Sequence, residues 1–471
     1  MERSEAEAIY DAGREVVVEA LLRMDRQIEA LTARVEKLER ELARNSRNSS
    51  APPSSDPPKG APARRSKGSS GRSQGAQPGH GGRGRELLPS AAVDEVIEHW
   101  PGSCGCGHVF AEAERLAARA PARHQVEELP RLAVTVIEHQ CMRVRCPGCG
   151  VERTGGLPAE VAASAFGPRL QAAVGTLAVR NRVSRRDTVE LCEELFGARI
   201  ATGTVDAILA RTGDALERPY QDLAQRVRRS GALNIDETGW RLKGSRRALW
   251  GAFSKRLAVY RIAPDRHERE ARELLGGHQG VVTSDRWWAY NHLPAGRRQI
   301  CWAHLRRDFQ AHAEGLGAER EFGEAGLAIC EQLFWAWEVY QHTGERRELQ
   351  RAVRGLRREL KPILRQYAAK APRYRYTRGM ARNLLKVWPA LWTFAGRRNV
   401  EPTNNHAERA LRGAVIYRKL SLGSQSEQGE RHIERLLSAS TTCRLQRRSL
   451  FEYLAELLAA HARGDPIPQL T

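Results

Sequence analysis

The sequence predicts a multidomain α/β protein, on three observations. A chain of 471 residues is long enough for about three domains at ~150 residues each. Short β-branched runs that close on carboxylates, beginning with Ala232-Leu233-Asn234-Ile235, are followed by long amphipathic helical patterns, as in a sheet-plus-helix domain. Ahead of them lie stretches of different character: a heptad seam, a Pro/Ser-rich segment and two tight cysteine pairs.

Charge narrows the function before any motif is read. Lys and Arg number 76 against 56 Asp and Glu, a formal charge of +20. Such an excess points to a polyanionic partner and away from ordinary small-molecule enzymes. No run of 18 apolar residues occurs, so no membrane partner is expected. The acidic opening Met1-Glu2-Arg3-Ser4-Glu5-Ala6-Glu7 lacks the apolar stretch of a signal peptide. Nine cysteines, an odd number with two close groups, read as reduced thiols with a metal site. The expectation is a cytoplasmic, nucleoid-associated protein that touches nucleic acid.

Residues 14–44 predict a coiled coil. Leu21, Met24, Ile28, Leu31, Val35, Leu38 and Leu42 recur at threes and fours with charged residues between them. The narrow seam favours pairing of copies over packing within the chain, and three heptads would associate only weakly alone. Residues 45–90 predict a disordered basic linker, since 45–85 holds eight Lys/Arg, one Asp and almost no large apolar residue. Gly79, Gly81 and Gly84 there spell G-x-G-x-x-G, but no strand precedes and no helix follows, which excludes a dinucleotide site. A DNA-holding tether and a passive spacer are the two readings left.

Residues 95–155 predict a small zinc-ribbon-like module, with Cys104-Gly105-Cys106 at one end, Cys146-Pro147-Gly148-Cys149 at the other and a strand over 132–139. Four thiolates, Cys104, Cys106, Cys146 and Cys149, would close a tetrahedral site around one structural Zn²⁺ that stands in for a core. The first knuckle is shorter than the usual C-x₂-C, which leaves His108 or Cys141 as alternative ligands. Residues 165–228 predict a helical, helix-turn-helix region: a helix over 185–196, a turn at Gly197 and a second helix from about Thr202. A plain packing hairpin of helices is the alternative.

A catalytic α/β domain is expected over 230–425, with a helical insertion about 305–400 and a C-terminal helical segment at 426–471. Strands are expected over 232–235, 247–253, 257–262 and 280–284, with a helix near 268–275. The first and last run directly into Asp236 and Asp285, and open α/β sheets put their sites at such carboxyl ends. Adjacent carboxylates repel unless cations lie between them, and a pair of Mg²⁺ ions ~4 Å apart is the common solution in nucleases and polymerases. That chemistry wants a third carboxylate, which spacing alone does not choose. One candidate is Glu408, in the first turns of a helix capped by Thr403 or Asn404, with Arg409 and Arg412 one turn apart and able to meet phosphates. An ordinary capped surface helix is the alternative.

Several strings occur together, in order: Asn48-Ser49-Ser50 through Pro58, Gln77-Pro78-Gly79-His80, the cysteine knuckles, Asp236-Glu237-Thr238 and Ser284-Asp285. Cys301-Trp302-Ala303-His304 with Arg306-Arg307-Asp308-Phe309, and the run from Asn404 to Lys419, complete the series. Over nearly the whole chain this resembles the large transposase of the insertion-sequence sixty-six family. The resemblance implies an RNase H-like catalytic domain and a DDE triad of Asp236, Asp285 and Glu408 holding two divalent ions, Mg²⁺ or Mn²⁺. It implies DNA as partner, both the terminal inverted repeats of the element and target DNA, with a homo-oligomer and companion element-encoded proteins as further partners. Cys301 and His304 correspond to a C-x₂-H string that supports the site wall or a helix start, with a metal-ligand pair the alternative. The compressed first knuckle departs from the family pattern.

Between Asp285 and Glu408, an apolar stripe of Ile329, Leu333, Phe334, Trp337 and Tyr340 reads as core, not as a base-stacking surface. Residues 345–382 carry 13 Lys/Arg against three Glu, too one-sided for pairing within a helix, and read as phosphate contacts. Arg418 and Lys419 belong with Arg409 and Arg412 among the DNA-binding candidates, and the tail continues basic through Arg431, Arg435, Arg444, Arg447 and Arg448. The function expected is a DNA transposase that binds element ends, cuts a phosphodiester and joins the freed end to target. The rivals are a metal-dependent nuclease that does not join, and a catalytically decayed DNA-binding regulator.

Overall fold

The computed structural model of the chain describes residues 10–42, 86–115, 122–130, 132–162, 164–370 and 374–470. Most of the expected basic linker, with its glycine motif, lies outside the described residues. The chain divides into two units, residues 57–134 and the remainder, each taken by itself below. No helix among the described residues is long and apolar enough to cross a membrane.

In the smaller unit the first cysteine knuckle is a closed turn: Cys104 N donates to His108 O at 2.8 Å and Gly107 N to Cys104 O at 2.9 Å. In the larger unit the second knuckle sits in the turn between antiparallel strands β1 (Arg143–Arg145) and β2 (Glu152–Thr154). The strand expected over 132–139 does not form. Val136 and Ile137 stand exposed with no neighbouring strand among the described residues, and an alternating β-branched run becomes a strand only where a partner completes the ladder.

The N-terminal helix Arg14–Leu42 leaves Leu21, Met24, Ile28, Leu31 and Val35 exposed along one stripe; the side chains of Leu38 and Leu42 lie outside the described residues. Helices Arg185–Phe196 and Thr202–Ala215 form where the pattern places them. Ser184 Oγ accepts from Asp187 N at 3.2 Å to start the first, and Gly197 at φ 66° ends it. Their buried faces share one core with the central sheet, Val205 and Leu209 with Ile235 and Leu249.

That sheet has five strands: β3 (Ala232–Leu242), β4 (Ser245–Phe253), β5 (Ala258–Ala263), β6 (Val281–Ser284) and β7 (Arg298–Ile300). Their order is β5-β4-β3-β6-β7; β3, β4 and β5 are antiparallel neighbours, and β6 and β7 run parallel to β3. The first strand is longer than expected. It does not end at Asp236 but runs on to Leu242, because Lys243 (φ 47°) and Gly244 (φ 83°) make a two-residue hairpin whose twist continues the pairing with β4. The parallel pairing with β6 stops at Asn234↔Thr283, so Asp236 still stands at the carboxyl end of the parallel part.

The exposed edge of β5 is closed by the Glu427–Gln446 helix. Thr442 Oγ1, Ser438 Oγ and Glu434 Oε1 accept from the backbone N–H groups of Ala258, Tyr260 and Ile262 at 3.0, 2.9 and 2.5 Å. Four residues of helix rise ~6 Å and two residues of strand ~6.6 Å, so the two periods nearly match. Beyond β7, helices Trp302–Ala313, Ala318–Thr343, Arg346–Ala368 and Arg375–Lys386 wrap a second core. Ile329 and Leu333 are fully inside it, and Phe334, Trp337 and Tyr340 pack against it, so the apolar stripe is core.

Candidate active site

Strand register sets the first two acids side by side. β3 and β6 pair in parallel through Asn234↔Thr283, and two residues further along that register come Asp236 and Asp285. Side chains alternate along a strand, so Asn234, Asp236 and Thr238 share one face. Over that face lies the Asn405–Ser421 helix: Asn234 Nδ2 donates to Asn404 Oδ1 at 2.9 Å, and Arg418 Nη1 to Thr238 Oγ1 at 3.2 Å. Asp236 sits between those two ties, and Glu408 is in the first turn of the same helix. Asn404 does occupy the N-cap position, but its side chain makes no cap; its Nδ2 donates instead to Ile235 O at 2.9 Å.

The electrostatics follow from that crowding. Burial, then the charges of Glu237 and Asp285, push the Asp236 carboxyl well above its usual range; Glu408 adds to this, and the Glu237 N–H bond at 3.0 Å opposes it. Glu237 points to the other face, where Arg266 and Tyr290 both donate to it. Its own carboxyl is raised by burial and by Asp285, and the Tyr290 and Arg266 bonds partly offset this. Asp285 Oδ1 accepts from Trp287 N at 2.9 Å, and its main-chain carbonyl accepts from Arg298 Nη2 at 2.8 Å. Arg298 is buried, which lowers its guanidinium to about 10.

Glu408 is half-exposed, with Oε1 3.8 Å from His304 Nδ1 and 3.9 Å from Arg307 Nη2. His304 Nδ1 is buried and has no hydrogen-bond partner, and burial with the Arg307 charge lowers the imidazole's proton affinity. Cys301 is fully buried at the N-cap of the Trp302–Ala313 helix and accepts from Asn404 N at 3.1 Å, while burial raises its thiol to about 11. Cys301 and Asn404 together therefore fasten the insertion's first helix, β3 and the Glu408 helix to one another.

Among the described residues, no group of Asp, Glu, His and Cys side chains converges closely enough to hold a metal ion. Asp236, Asp285 and Glu408 share a neighbourhood without meeting. The donor set nonetheless suits hard divalent cations: burial and the charges of Glu237, Asp285 and Glu408 raise the Asp236 carboxyl, which a cation would relieve. Arg409, Arg412 and Lys419 are exposed, whereas Arg418 is committed to β3. The tail arginines are partly used internally, Arg431 on Glu434 and Arg435 on Glu217.

The cysteine pairs each bring two thiols together. The Cys106 thiol is pulled down by the His108 main chain and then by Cys104; Cys146 is pulled down by the Cys149 and Gly148 main chain and the Cys149 side chain. His108, an alternative ligand on sequence grounds, has its Nε2 on Glu114 at 2.9 Å, and Cys141 is exposed.

Sequence reasoning missed Arg266, Tyr290 and Arg298; it quoted Glu237 without a role and named Asn404 only as a cap. Only Glu237, adjacent to Asp236, and Asn404, within the recognised run, carried any signal; the two arginines and the tyrosine arrive from separate loops and strands.

Two uncharacterised proteins of Sinorhizobium fredii (strain NBRC 101917 / NGR234) are similar to this chain. One, y4hP, is 24% identical over 385 residues, 73% of this chain and 68% of the relative. The other, y4qI, is 26% identical over 241 residues, 47% of this chain and 43% of the relative. Residues 2–86 match a family of unknown function. The model of the transposase IS66 family matches residues 163–432, more than half of the chain, from the helical region through the sheet to the helix that carries Glu408. On that match, the chain belongs to the transposase IS66 family.

Proposed function

We propose that the chain is a DNA transposase that cuts at the ends of its element and joins them to target DNA, with Asp236, Asp285 and Glu408 as the reacting acids. One observation carries the reading: two aspartates at neighbouring parallel strand ends, with the glutamate's helix tied to the same strand face through Asn404. The sheet order, three antiparallel strands followed by two parallel ones, supports an RNase H-like catalytic domain.

Asp236, Asp285 and Glu408 would hold two Mg²⁺ or Mn²⁺ ions, which when bound make water a stronger nucleophile and offset charge on the leaving oxygen. Arg266 and Tyr290 keep Glu237 turned away from Asp236. Arg298 and the Trp287 amide fix the Asp285 loop, and Cys301 fixes the start of the Glu408 helix. Arg409, Arg412 and Lys419 are free to meet phosphates. Water attacks the phosphodiester at the element end and frees a 3′-hydroxyl, which then attacks target DNA in line. The exposed heptad stripe of the Arg14–Leu42 helix is proposed to pair copies of the chain, the 185–215 helices to read the ends, and Cys104, Cys106, Cys146 and Cys149 to hold structural zinc. Companion proteins of the element are further proposed partners.

Purified protein incubated with labelled terminal inverted repeats, with Mg²⁺ or with chelator, tests the reading. Metal-dependent nicking at the repeat boundary supports it, and its absence with any divalent metal counts against it. Pre-cut ends supplied with a target plasmid separate joining from plain cleavage.

A further inference from the structure

Beyond Asp236 the β3–β4 hairpin runs into a groove that reaches past the reacting acids to Lys419. The hairpin tip is fastened to the segment after the Asn405–Ser421 helix. Ser424 N donates to Arg241 O and Lys243 N to Ser424 O, both at 2.9 Å, and Trp240 Nε1 donates to Ser424 Oγ at 3.2 Å. Trp240 also stacks on Tyr417 with the ring planes 2° apart. Gly423, at φ +101°, passes so near that a Cβ would lie 2.3 Å from Arg241 O. These contacts tie the floor together, and none of them touches Asp236, Asp285 or Glu408.

Over this floor opens a cavity of about 710 Å³ lined by Arg241, Arg246, Arg247, Arg266, Arg418 and Lys419, with Asp265 the one acid among its lining residues. Three of these charges are already engaged: Arg247 faces Glu427 and Glu430, Arg266 holds Glu237, and Asp265 is taken by Arg269. Among the described residues no carboxylate pairs with Arg241, Arg246, Arg418 or Lys419. Arg418 is bent onto Gly239 O and Thr238 Oγ1, and burial together with the Arg241 charge draws its guanidinium below the usual range. Like charges held together on a fixed floor, without counter-charge, make a site for an anion.

We infer that this groove is a phosphodiester-binding subsite that grips the DNA strand to one side of the linkage being cut. The identity of the polymer rests on the transposase reading. Arg241 follows Asp236 by five residues of one strand, ~16 Å at ~3.3 Å per residue. That odd separation puts it on the face of Glu237, so the groove meets not the reacting phosphate but its neighbours, on DNA that passes round the edge of β3 left open beyond Asn234. The three open cations, Arg241, Arg246 and Lys419, come from both strands of the hairpin and from the helix end, a spread that fits a run of phosphates and not a single one.

The test uses the full-length chain carrying Arg241→Gln, Arg246→Gln and Lys419→Gln together, all exposed side chains whose loss leaves the floor bonds intact. Binding to fluorescent terminal-repeat duplex is followed by anisotropy from about 50 to 300 mM salt, where each lost phosphate contact flattens the log–log slope by ~0.9. The expected result is a slope shallower by about 2.7, with thermal melting unchanged. If the triple variant does not fold, the three single variants, each expected to give ~0.9, replace it. A slope equal to the parent's overturns the subsite, as does a loss seen on RNA duplex but not on DNA. Displacement of the duplex from the parent by inorganic phosphate at equal charge concentration also overturns it, marking a small-anion site. Nicking assays in parallel keep the two claims apart: a flattened slope without nicking upholds the groove and removes the transposase reading, and nicking with an unchanged slope does the reverse.

Discussion

Asn404 Nδ2 reaches the carbonyl of Ile235 at 2.9 Å, one residue before Asp236, and so ties the start of the Glu408 helix to the strand that carries the first aspartate. Asn404 is fully buried and bonds no group at the reacting centre. It is a positioning residue, and Asn404→Ala should lower kcat for end cleavage about 100-fold, since a displacement of ~1 Å is worth that much. Leaving Ile235 O and Asn234 Nδ2 short of a partner should also destabilise the chain by about 1–3 kcal/mol. The two effects separate in the measurement. Raising Mg²⁺ should not restore kcat at a temperature where the variant is fully folded, and a variant whose kcat recovers once it is folded would show Asn404 to be merely structural.

Removing the charge of the first aspartate acts on chemistry alone. Asp236→Asn keeps the size of the side chain and its bond from the Glu237 N–H, and it relieves the crowding with Glu237 and Asp285 that raises the wild-type carboxyl. Cleavage should fall below detection, while affinity for a terminal-repeat duplex, read by gel shift, should stay within about threefold and melting should not drop. Loss of binding together with normal residual cleavage would contradict the assignment of Asp236.

Which parts of this arrangement were legible follows from how far apart in the chain their causes lie. The strands after residue 230 and the helices at 185–215 are written locally, in periodicity, Ser184 and Gly197, and they formed at their expected places. Asp236 and Asp285 were visible because each closes an apolar run, but their adjacency is a property of sheet register, which no local window holds. The early end assigned to β3 failed because the partner that lengthens it, β4, is read only with the Lys243-Gly244 turn. The run over 132–139 failed for the opposite reason, a strand-like pattern with no partner. Arg298 and Tyr290 gave no warning at all, since a buried arginine and an ordinary surface one look alike until the fold surrounds them.

The one-sided charge at 345–382 resolves into a ridge. On the Arg346–Ala368 helix, Arg347, Arg351, Arg354, Arg358, Lys361 and Arg365 recur at threes and fours, opposite the buried Leu349, Val353, Leu356, Leu360 and Leu364. The ridge is ~27 Å long at 1.5 Å per residue, and no acid among the described residues pairs with its five arginines. Changing Arg351, Arg354 and Arg358 together to Gln should make affinity for DNA less sensitive to salt, shrinking the loss between about 50 and 200 mM by roughly 40-fold. Equal salt sensitivity in parent and variant would leave the ridge a solvated helix face.

The helix that closes the sheet edge carries a pH dependence of its own. Glu434 is almost fully buried and accepts from Ile262 N, and burial lifts its carboxyl from 4.5 to about 7 against the opposing pull of Arg431. A carboxyl raised in the folded state binds its proton more tightly there than in the unfolded chain, so stability falls as pH climbs from the unfolded value to the folded one. The loss should begin near pH 4.5 and be complete above about pH 7, at about 3 kcal/mol. Glu434→Gln retains an oxygen for the Ile262 N–H and has no proton to lose. Its melting temperature relative to the parent should therefore rise by several degrees between pH 5 and pH 8. Melting curves of the two proteins that run parallel across that window would show that the Glu434 proton plays no part in holding the helix to the edge of β5.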